Sequence, residues 1–465
     1  MPFTGRPAHA HPAPRSAHMT PPTATTDQAW PRASHAWWAL AIFALAAVLS
    51  YTDRQILTLL IDPVRADLAI SDTQVSLLQG LAFVLIYSIA GLPLGRAADI
   101  FPRRIVIIAG VTIWSLATVA CAYVHSFQGL FTARIFVGIG EACLAPAAMS
   151  MIGDYFPPQR RGTAISIFML GMVIGSGVAI MIGGGALHAV QHGLVAGVPY
   201  LRELPAWRAV LVLMALPGAL MVLLLLTVRE PARRLHAGQE SAAPLPLKDV
   251  LADFVTLRHT LLPLYFGMAL LGVCDAAMGN WIPALLSRRF GWDAGQIGEL
   301  FGAASIAGAA IGVFGGGLLA DRLVARQGTP ARFTVALAAV LLGLPGAFCG
   351  LADSASMVLF GNAWWTMMSA AAATIAITAL QDIVANHMRG VAIALASFGN
   401  IMLGVGIGTT LTPWINDHVF TDPLKVGAAM TLAAVPVALI ALALYARLWR
   451  VTRLPRLQQR AGGDS

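Results

Sequence analysis

Apolar residues in this chain fall in long unbroken runs, without the polar interruptions of a fold that meets water on one face. Twelve of these runs approach the roughly 20 residues a helix needs to cross a bilayer. The first six cover 37–60, 74–94, 105–124, 128–149, 162–185 and 207–228. The second six cover 260–286, 295–319, 331–351, 356–380, 390–411 and 424–446. Numbered as spans 1 to 12, they predict an all-α membrane protein. The connections are short except for one long segment after Val228. That segment divides the chain into a first six-helix bundle (36–228), a cytoplasmic linker (229–259) and a second six-helix bundle (260–446). A tail rich in Pro, Ala, His and Thr (1–35) is expected to be disordered, and a basic tail (447–465) closes the chain. The first run is too long for the apolar core of a signal peptide, and the tail precedes it.

Composition agrees with this pattern. Hydrophobic residues make up 57% of the 465 and charged residues 11%, against about a quarter charged in an average soluble domain. So few charges could not cover a water-exposed surface of this size, which excludes an ordinary cytosolic enzyme. The pI near 9.8 would fit nucleic acid, but the basic residues form no patch with interleaved aromatics. The four cysteines (Cys121, Cys143, Cys274, Cys349) all lie in apolar runs without C-x-x-C spacing. They read as small buried hydrophobes, not as a disulfide framework or a metal site.

The positive charge marks topology. Lys and Arg are retained on the cytoplasmic side of membrane helices. With both termini inside, 22 of the 30 Lys and Arg fall on inside segments and 6 on outside ones. Arg54 and Arg134 lie within spans. Both termini are therefore expected in the cytoplasm.

The two halves repeat one another at an offset of 222 residues. Gly95-x-x-x-Asp99 matches Gly317-x-x-x-Asp321, Gln74 matches Gln296, Gly80 matches Gly302, and Asp53 matches Asp275. Parallel repeats of this kind place a substrate site between the halves near the bilayer midplane, an architecture for alternating access.

These residues carry a resemblance. The loop Gly95-Arg-Ala-Ala-Asp99-Ile-Phe-Pro-Arg103-Arg104, its weaker copy Gly317-Leu-Leu-Ala-Asp321-Arg322, and Leu130-x-x-x-Arg134 followed by Gly138 and Gly140 resemble the signatures of the major facilitator superfamily. Tyr51-Thr-Asp53-Arg54-Gln55, Ser71-Asp-Thr-Gln74, Gly138-Ile-Gly140-Glu141-Ala142 and Asp154-Tyr-Phe-Pro-Pro-Gln-Arg-Arg161-Gly162 resemble its spinster-like branch. The resemblance covers 36 to about 450. It implies twelve helices in two pseudo-symmetric six-helix bundles. It also implies export of lipid-like substrates with proton coupling, and a charge-relay lock of Gly95, Asp99, Arg103 and Arg104, with Gly317, Asp321 and Arg322, that closes the cytoplasmic end. Ile100, Pro102 and Ser176 depart from the superfamily pattern.

A charged side chain at the bilayer centre costs about 2.5–3.5 kcal/mol or more and reads as functional. Asp53, Arg54, Arg134 and Glu141 are such residues. Asp53 and Arg134 lie roughly 10 and 9 Å from the outer ends of spans 1 and 4, at a depth where they could pair. Arg134 or Arg54 is expected to hold an anionic substrate group, and Glu141 and Asp53 to titrate. The alternative is a fixed ion-pair network joining spans 1 and 4. Asp275 reads as a second proton site or a partner for an Arg of the first half. Trp281 and Asn400 are candidates to line the cavity.

The expected function is secondary transport, coupled to protons, of an amphipathic or lipid-like anion; the alternative is proton symport of a small organic anion. A monomer in the bacterial inner membrane, binding a small-molecule or lipid-like substrate, protons and bilayer lipid, is expected. No nucleic acid, cofactor, metal or catalytic residue is expected. The chain has no Walker-type loop and no H-E-x-x-H.

Overall fold

The computed structural model describes residues 30–233, 255–384 and 389–461. The expected disordered tail up to residue 29, most of the linker and the last four residues lie outside the described residues. Twelve helices are long and apolar enough to cross a membrane. They are span 1 (Ala33–Leu59), span 2 (Asp72–Gly91), span 3 (Arg103–Tyr123), span 4 (Phe127–Tyr155), span 5 (Pro158–Gln191), span 6 (Ala206–Thr227), span 7 (Arg258–Phe290), span 8 (Ala294–Gln327), span 9 (Ala331–Leu351), span 10 (Ala355–Ile383), span 11 (Val391–Phe420) and span 12 (Pro423–Thr452). Every apolar run becomes a helix. Several helices outlast their runs, because a helix continues past the hydrocarbon with polar residues. The N-terminal tail gives Ala33 to His35 to span 1, and the basic tail continues the last helix to Ala461.

Several spans bend or break where the sequence removes a backbone hydrogen bond. Span 4 breaks at Cys143, and Pro146 follows. Span 7 breaks at Asn280–Trp281 before Pro283. Proline cannot donate to the carbonyl four residues earlier, so both helices resume with a change of direction. Span 11 takes a π-helical turn at Asn400–Val405. Large apolar side chains such as Leu216, Leu220 and Leu223 of span 6 point outward, as a hydrocarbon solvent permits.

The repeat is visible in the atoms. Ser71 caps the start of span 2 by accepting from the Gln74 amide, while Gln74 Oε1 accepts from the Ser71 amide. Its mate 222 residues on does the same: Asp293 accepts from the Gln296 amide and Gln296 accepts from Asp293. Both are capping boxes, which satisfy two orphan donors at once. The mates Gly80 and Gly302 build equivalent seams between the bundles. A Cβ on Gly80 would come within 3.2 Å of the Val405 carbonyl of span 11, and one on Gly302 within 2.9 Å of the Gly177 carbonyl of span 5. Gly184 against Gly298 tightens the second seam, where a Cβ would meet the neighbouring Cα at 2.7 Å.

Both seams lie toward the end of the molecule away from the termini, here called the distal end. Polar contacts complete the closure there. Arg288 of span 7 reaches Asp62 and Asp72 of the first bundle, each at 2.7 Å. The Thr73 amide and hydroxyl both donate to Asp417 of span 11, at 2.8 and 2.7 Å. At the termini end the bundles part. Gly91, Gly162 and Gly399, on spans 2, 5 and 11, have nothing within 4 Å of where a Cβ would stand.

Arg288→Gln removes the cation shared by the two carboxylates and leaves Asp72, a buried residue, without its closest ionic partner. The distal end is expected to open more often. A cysteine placed at Thr58, which lies between the central cavity and the distal surface, is expected to react several-fold faster with a thiol reagent applied from the distal side. An unchanged labelling rate would show that the clamp does not hold this end shut.

Candidate functional site

The intramembrane charges of the first bundle form two adjacent groups. In the first, Arg54 Nε donates to Glu141 Oε2 at 2.6 Å, and the Ser50 hydroxyl donates to the same oxygen at 2.7 Å. Ser50 lies one helical turn before Arg54, so both face span 4. Glu141 is fully enclosed, whereas the Arg54 side chain keeps 20% of its surface open. Three rings surround the guanidinium, with centroids at 5.0 Å (Tyr51), 4.4 Å (Phe83) and 4.7 Å (Tyr87). Cations are drawn to ring faces within about 6 Å.

Glycine lets span 4 bring Glu141 to this position. A Cβ on Gly140 would stand 2.6 Å from the Gly110 carbonyl of span 3, and one on Gly138 would stand 3.2 Å from the Phe83 carbonyl of span 2. Only residues without side chains permit this close approach. The Glu141 carboxylate therefore enters at a depth set by backbone contact.

In the second group, Arg134 donates from Nη1 to the Asp53 main-chain carbonyl at 3.2 Å and from Nε to the Leu78 carbonyl at 3.4 Å. The expected meeting of Asp53 and Arg134 occurs, but through the backbone of Asp53. Its carboxylate oxygen Oδ1 and Arg134 Nη2 make no hydrogen bond. Both residues are buried and neither lines the central cavity.

That cavity, of about 460 Å³, lies between the bundles. On the first bundle's wall stand Arg54 and its rings Tyr51, Phe83 and Tyr87. On the second stands Asp275, which accepts from Trp365 Nε1 at 2.7 Å and from the Ser369 hydroxyl at 2.9 Å. Asp275 thus faces the same space as Arg54 but is hydrogen-bonded within its own bundle. Its repeat mate Asp53 is turned away from that space, so the two repeats use this position differently. Asn400 lines the cavity from the π-helical turn and donates to the Met268 carbonyl at 3.4 Å.

Trp281 does not line the cavity. It is fully buried at the break in span 7, where its indole donates to the Thr409 carbonyl at 3.0 Å. Asn280, one residue earlier, lines it instead and donates to the Thr409 hydroxyl at 2.9 Å. Adjacent residues of a helix point about 100° apart, so one of the pair faces the cavity and the other the packed interior. Sequence reasoning also missed the ring cage and Trp365. The available signal was Phe83 and Tyr87, one helical turn apart on a span neighbouring an intramembrane Arg.

At the termini end, the loop residues contact their own bundle and the start of the linker. Arg103 is buried, paired with Asp154 and, at 2.8 Å, with Glu230. It also donates to the Ser150 hydroxyl at 3.0 Å and to the Pro231 carbonyl at 2.9 Å. The Arg104 amide donates to Glu230 at 2.8 Å. Asp99 stands apart, its side chain 65% exposed with Arg96 at 3.8 Å, while Gly95 and Gly317 are uncrowded. Asp321 lies 3.7 Å from Arg332, and Arg332 pairs more closely with Asp382 at 2.9 Å; Arg322 is exposed. In this conformation Arg103 and Arg104 share Glu230, while Asp99 stands outside that cluster.

Comparison with known proteins agrees with the geometry. A model of the Major Facilitator Superfamily matches residues 43–409. An MFS-type efflux pump of Mycolicibacterium smegmatis is 27% identical over 421 residues, which is 89% of this chain and 92% of that protein. The sphingosine-1-phosphate transporter SPNS2 of Mus musculus is 26% identical over 252 residues, 53% of this chain. That match spans less than half of SPNS2, 43% of its length. Among solved structures, a bacterial homolog of the human lysosomal transporter spinster, inward-facing and unoccupied, superposes with a TM-score of 0.77 at 24% identity, over 91% of this chain and 98% of that one.

Removing one partner of a buried ion pair leaves the other uncompensated, at a cost of about 3–5 kcal/mol when burial is complete. Partial exposure of Arg54 puts this pair toward the lower end. Glu141→Ala is expected to lower the thermal unfolding midpoint in detergent more than the double change Arg54→Gln with Glu141→Gln. An equal or smaller effect of the single change would show that Arg54 left without Glu141 adds no cost to the fold.

Proposed function

The chain belongs to the Major Facilitator Superfamily, and from that premise we propose that it is a proton-coupled secondary transporter moving an amphipathic or lipid-like anion by alternating access. The observation that carries this reading is the shared position of Arg54. Its guanidinium borders the central cavity and is neutralised by Glu141, which is wholly buried behind it. An anionic head group entering the cavity competes with Glu141 for the same fork of donors. A buried carboxylate deprived of its cation is neutralised by taking up a proton. Substrate and proton thereby report to each other through one residue. Asp53 beside Arg134 and Asp275 on the opposite wall are further proton sites in this scheme.

On the first bundle's wall, Tyr51, Phe83, Tyr87 and Ile180 suit the apolar part of an amphipath, beside the polar Gln55, Thr58 and Gln79. The second wall also carries Asn362, Thr366, Ser369 and Asn400, and this polar face favours the second reading, a small organic anion moved by proton symport. With both termini in the cytoplasm of a bacterial inner membrane, as the Lys and Arg distribution favours, the parted end faces inward and the closed distal end faces outward. In the opposite state Gly95, Asp99, Arg103 and Arg104, with Gly317, Asp321 and Arg322, close the cytoplasmic end. The working unit in this proposal is the monomer.

Flux into proteoliposomes under an imposed pH gradient tests the proposal, with lysophospholipids and small organic acids offered separately. Wild-type chain is expected to move the lysophospholipid in a gradient-dependent way. Glu141→Gln is expected to abolish gradient-driven flux while the protein stays folded. Wild-type pH dependence in that variant would overturn the role given to Glu141. Flux of the organic acids alone would favour the second reading.

A further inference from the structure

Outside the central cavity, spans 7 and 12 leave a groove of about 520 Å³ that shares no lining residue with it. Its walls are Leu262, Phe266 and Leu270 of span 7 and Ile440 and Leu444 of span 12. Leu262, Phe266 and Ile440 are each about half exposed (50%, 51% and 55%), so the groove opens outward from the second bundle. The residues recur at intervals of four on both helices, which puts each row on one face. The groove is a fixed feature, because Gly267 lets the Tyr445 ring press against span 7. A Cβ there would meet that ring at 2.9 Å.

One end of the groove is basic. Arg258, His259 and Arg447 stand there, at the termini end of the molecule. Among the described residues no carboxylate lines it. From Arg258 to Leu270 the groove runs roughly 18 Å along the helix, slightly more than the roughly 15 Å of hydrocarbon in one leaflet. An apolar channel one leaflet deep, capped by cations at headgroup level, matches a single class of occupant.

We propose that this groove binds an anionic phospholipid of the leaflet at the termini end. An acyl chain lies along Leu262, Phe266, Leu270, Ile440 and Leu444. The headgroup phosphate sits between the guanidinium groups of Arg258 and Arg447, beside His259. Both helices belong to the same bundle, so the site persists when the bundles rock against each other. The lipid anchors that bundle to its leaflet while the other moves.

The test uses the full chain reconstituted in nanodiscs of equal phosphatidylglycerol and phosphatidylcholine, transferred to mild detergent and weighed by native mass spectrometry. The wild-type protein is expected to retain one phosphatidylglycerol in preference to phosphatidylcholine. Arg258→Gln with Arg447→Gln is expected to reduce that retention about tenfold or more, given roughly 1 kcal/mol for each basic residue near an anionic surface. Arg258→Lys with Arg447→Lys keeps the charge and is expected to keep the lipid, which separates loss of binding from loss of fold. Photoreactive phosphatidylglycerol is expected to cross-link within 258–270 or 440–447. Equal retention of the two lipids, retention unchanged in the Gln pair, or cross-links confined to other segments would each overturn the proposal.

Discussion

A charge cannot remain inside a bilayer without a partner, and the first bundle is organised around meeting that requirement for Arg54 and Glu141. Their contact demands that spans 1 and 4 approach at one depth. It therefore demands the glycines that admit span 4 to the surfaces of spans 2 and 3. Gly138 and Gly140 stand three and one residues before Glu141 in the same helix, and Gly140 meets Gly110 backbone to backbone. The rings of Tyr51, Phe83 and Tyr87 then stand around Arg54, which keeps part of its surface open at the cavity wall. A change in any of these residues alters the cost of keeping charge where the cavity needs it.

The same requirement explains the basic residues found against the topology rule. Six Lys and Arg fall on the side opposite the majority, and several are held by carboxylates. Arg208 pairs with Asp67 at 2.7 Å, Arg288 with Asp62 and Asp72, and Arg65 lies 3.6 Å from Asp72. Arg288 has a second task, since its partners belong to the other bundle. Closure at the distal end thus combines two glycine seams, which fix the distance between bundles, with an ionic clamp that can be broken. Parallel repeats make the seams equivalent: span 2 meets span 11 as span 8 meets span 5.

Much of this was legible in the sequence. Run length alone located the twelve helices, because the hydrocarbon thickness sets a minimum that few other folds imitate. The offset of 222 located the repeat, and the paired capping boxes at Ser71 and Asp293 are its direct physical expression. The charged residues of the site were also legible, since intramembrane charge is rare. Their partners were not. Residue spacing put Asp53 and Arg134 at one depth but could not say which atoms meet, and Arg134 meets the Asp53 carbonyl. Trp281 was assigned to the cavity for the same reason. The helix is interrupted at Asn280–Trp281, and the apolar run gives no sign of which of the two residues faces the cavity. The loop signature pointed to Asp99, Arg103 and Arg104 as one lock, whereas here Arg103 pairs with Asp154 and Glu230 and Asp99 stands exposed beside Arg96.

The proposed coupling requires Glu141 and Asp53 to change protonation when substrate enters the cavity. Infrared difference spectra of the reconstituted chain, recorded on adding a lysophospholipid that calorimetry shows to bind, test it directly. A change in the protonated-carboxyl region is expected, reduced in Asp53→Asn and lost in Glu141→Gln. A spectrum with no carboxyl change, in a sample where the lipid is bound, would contradict it.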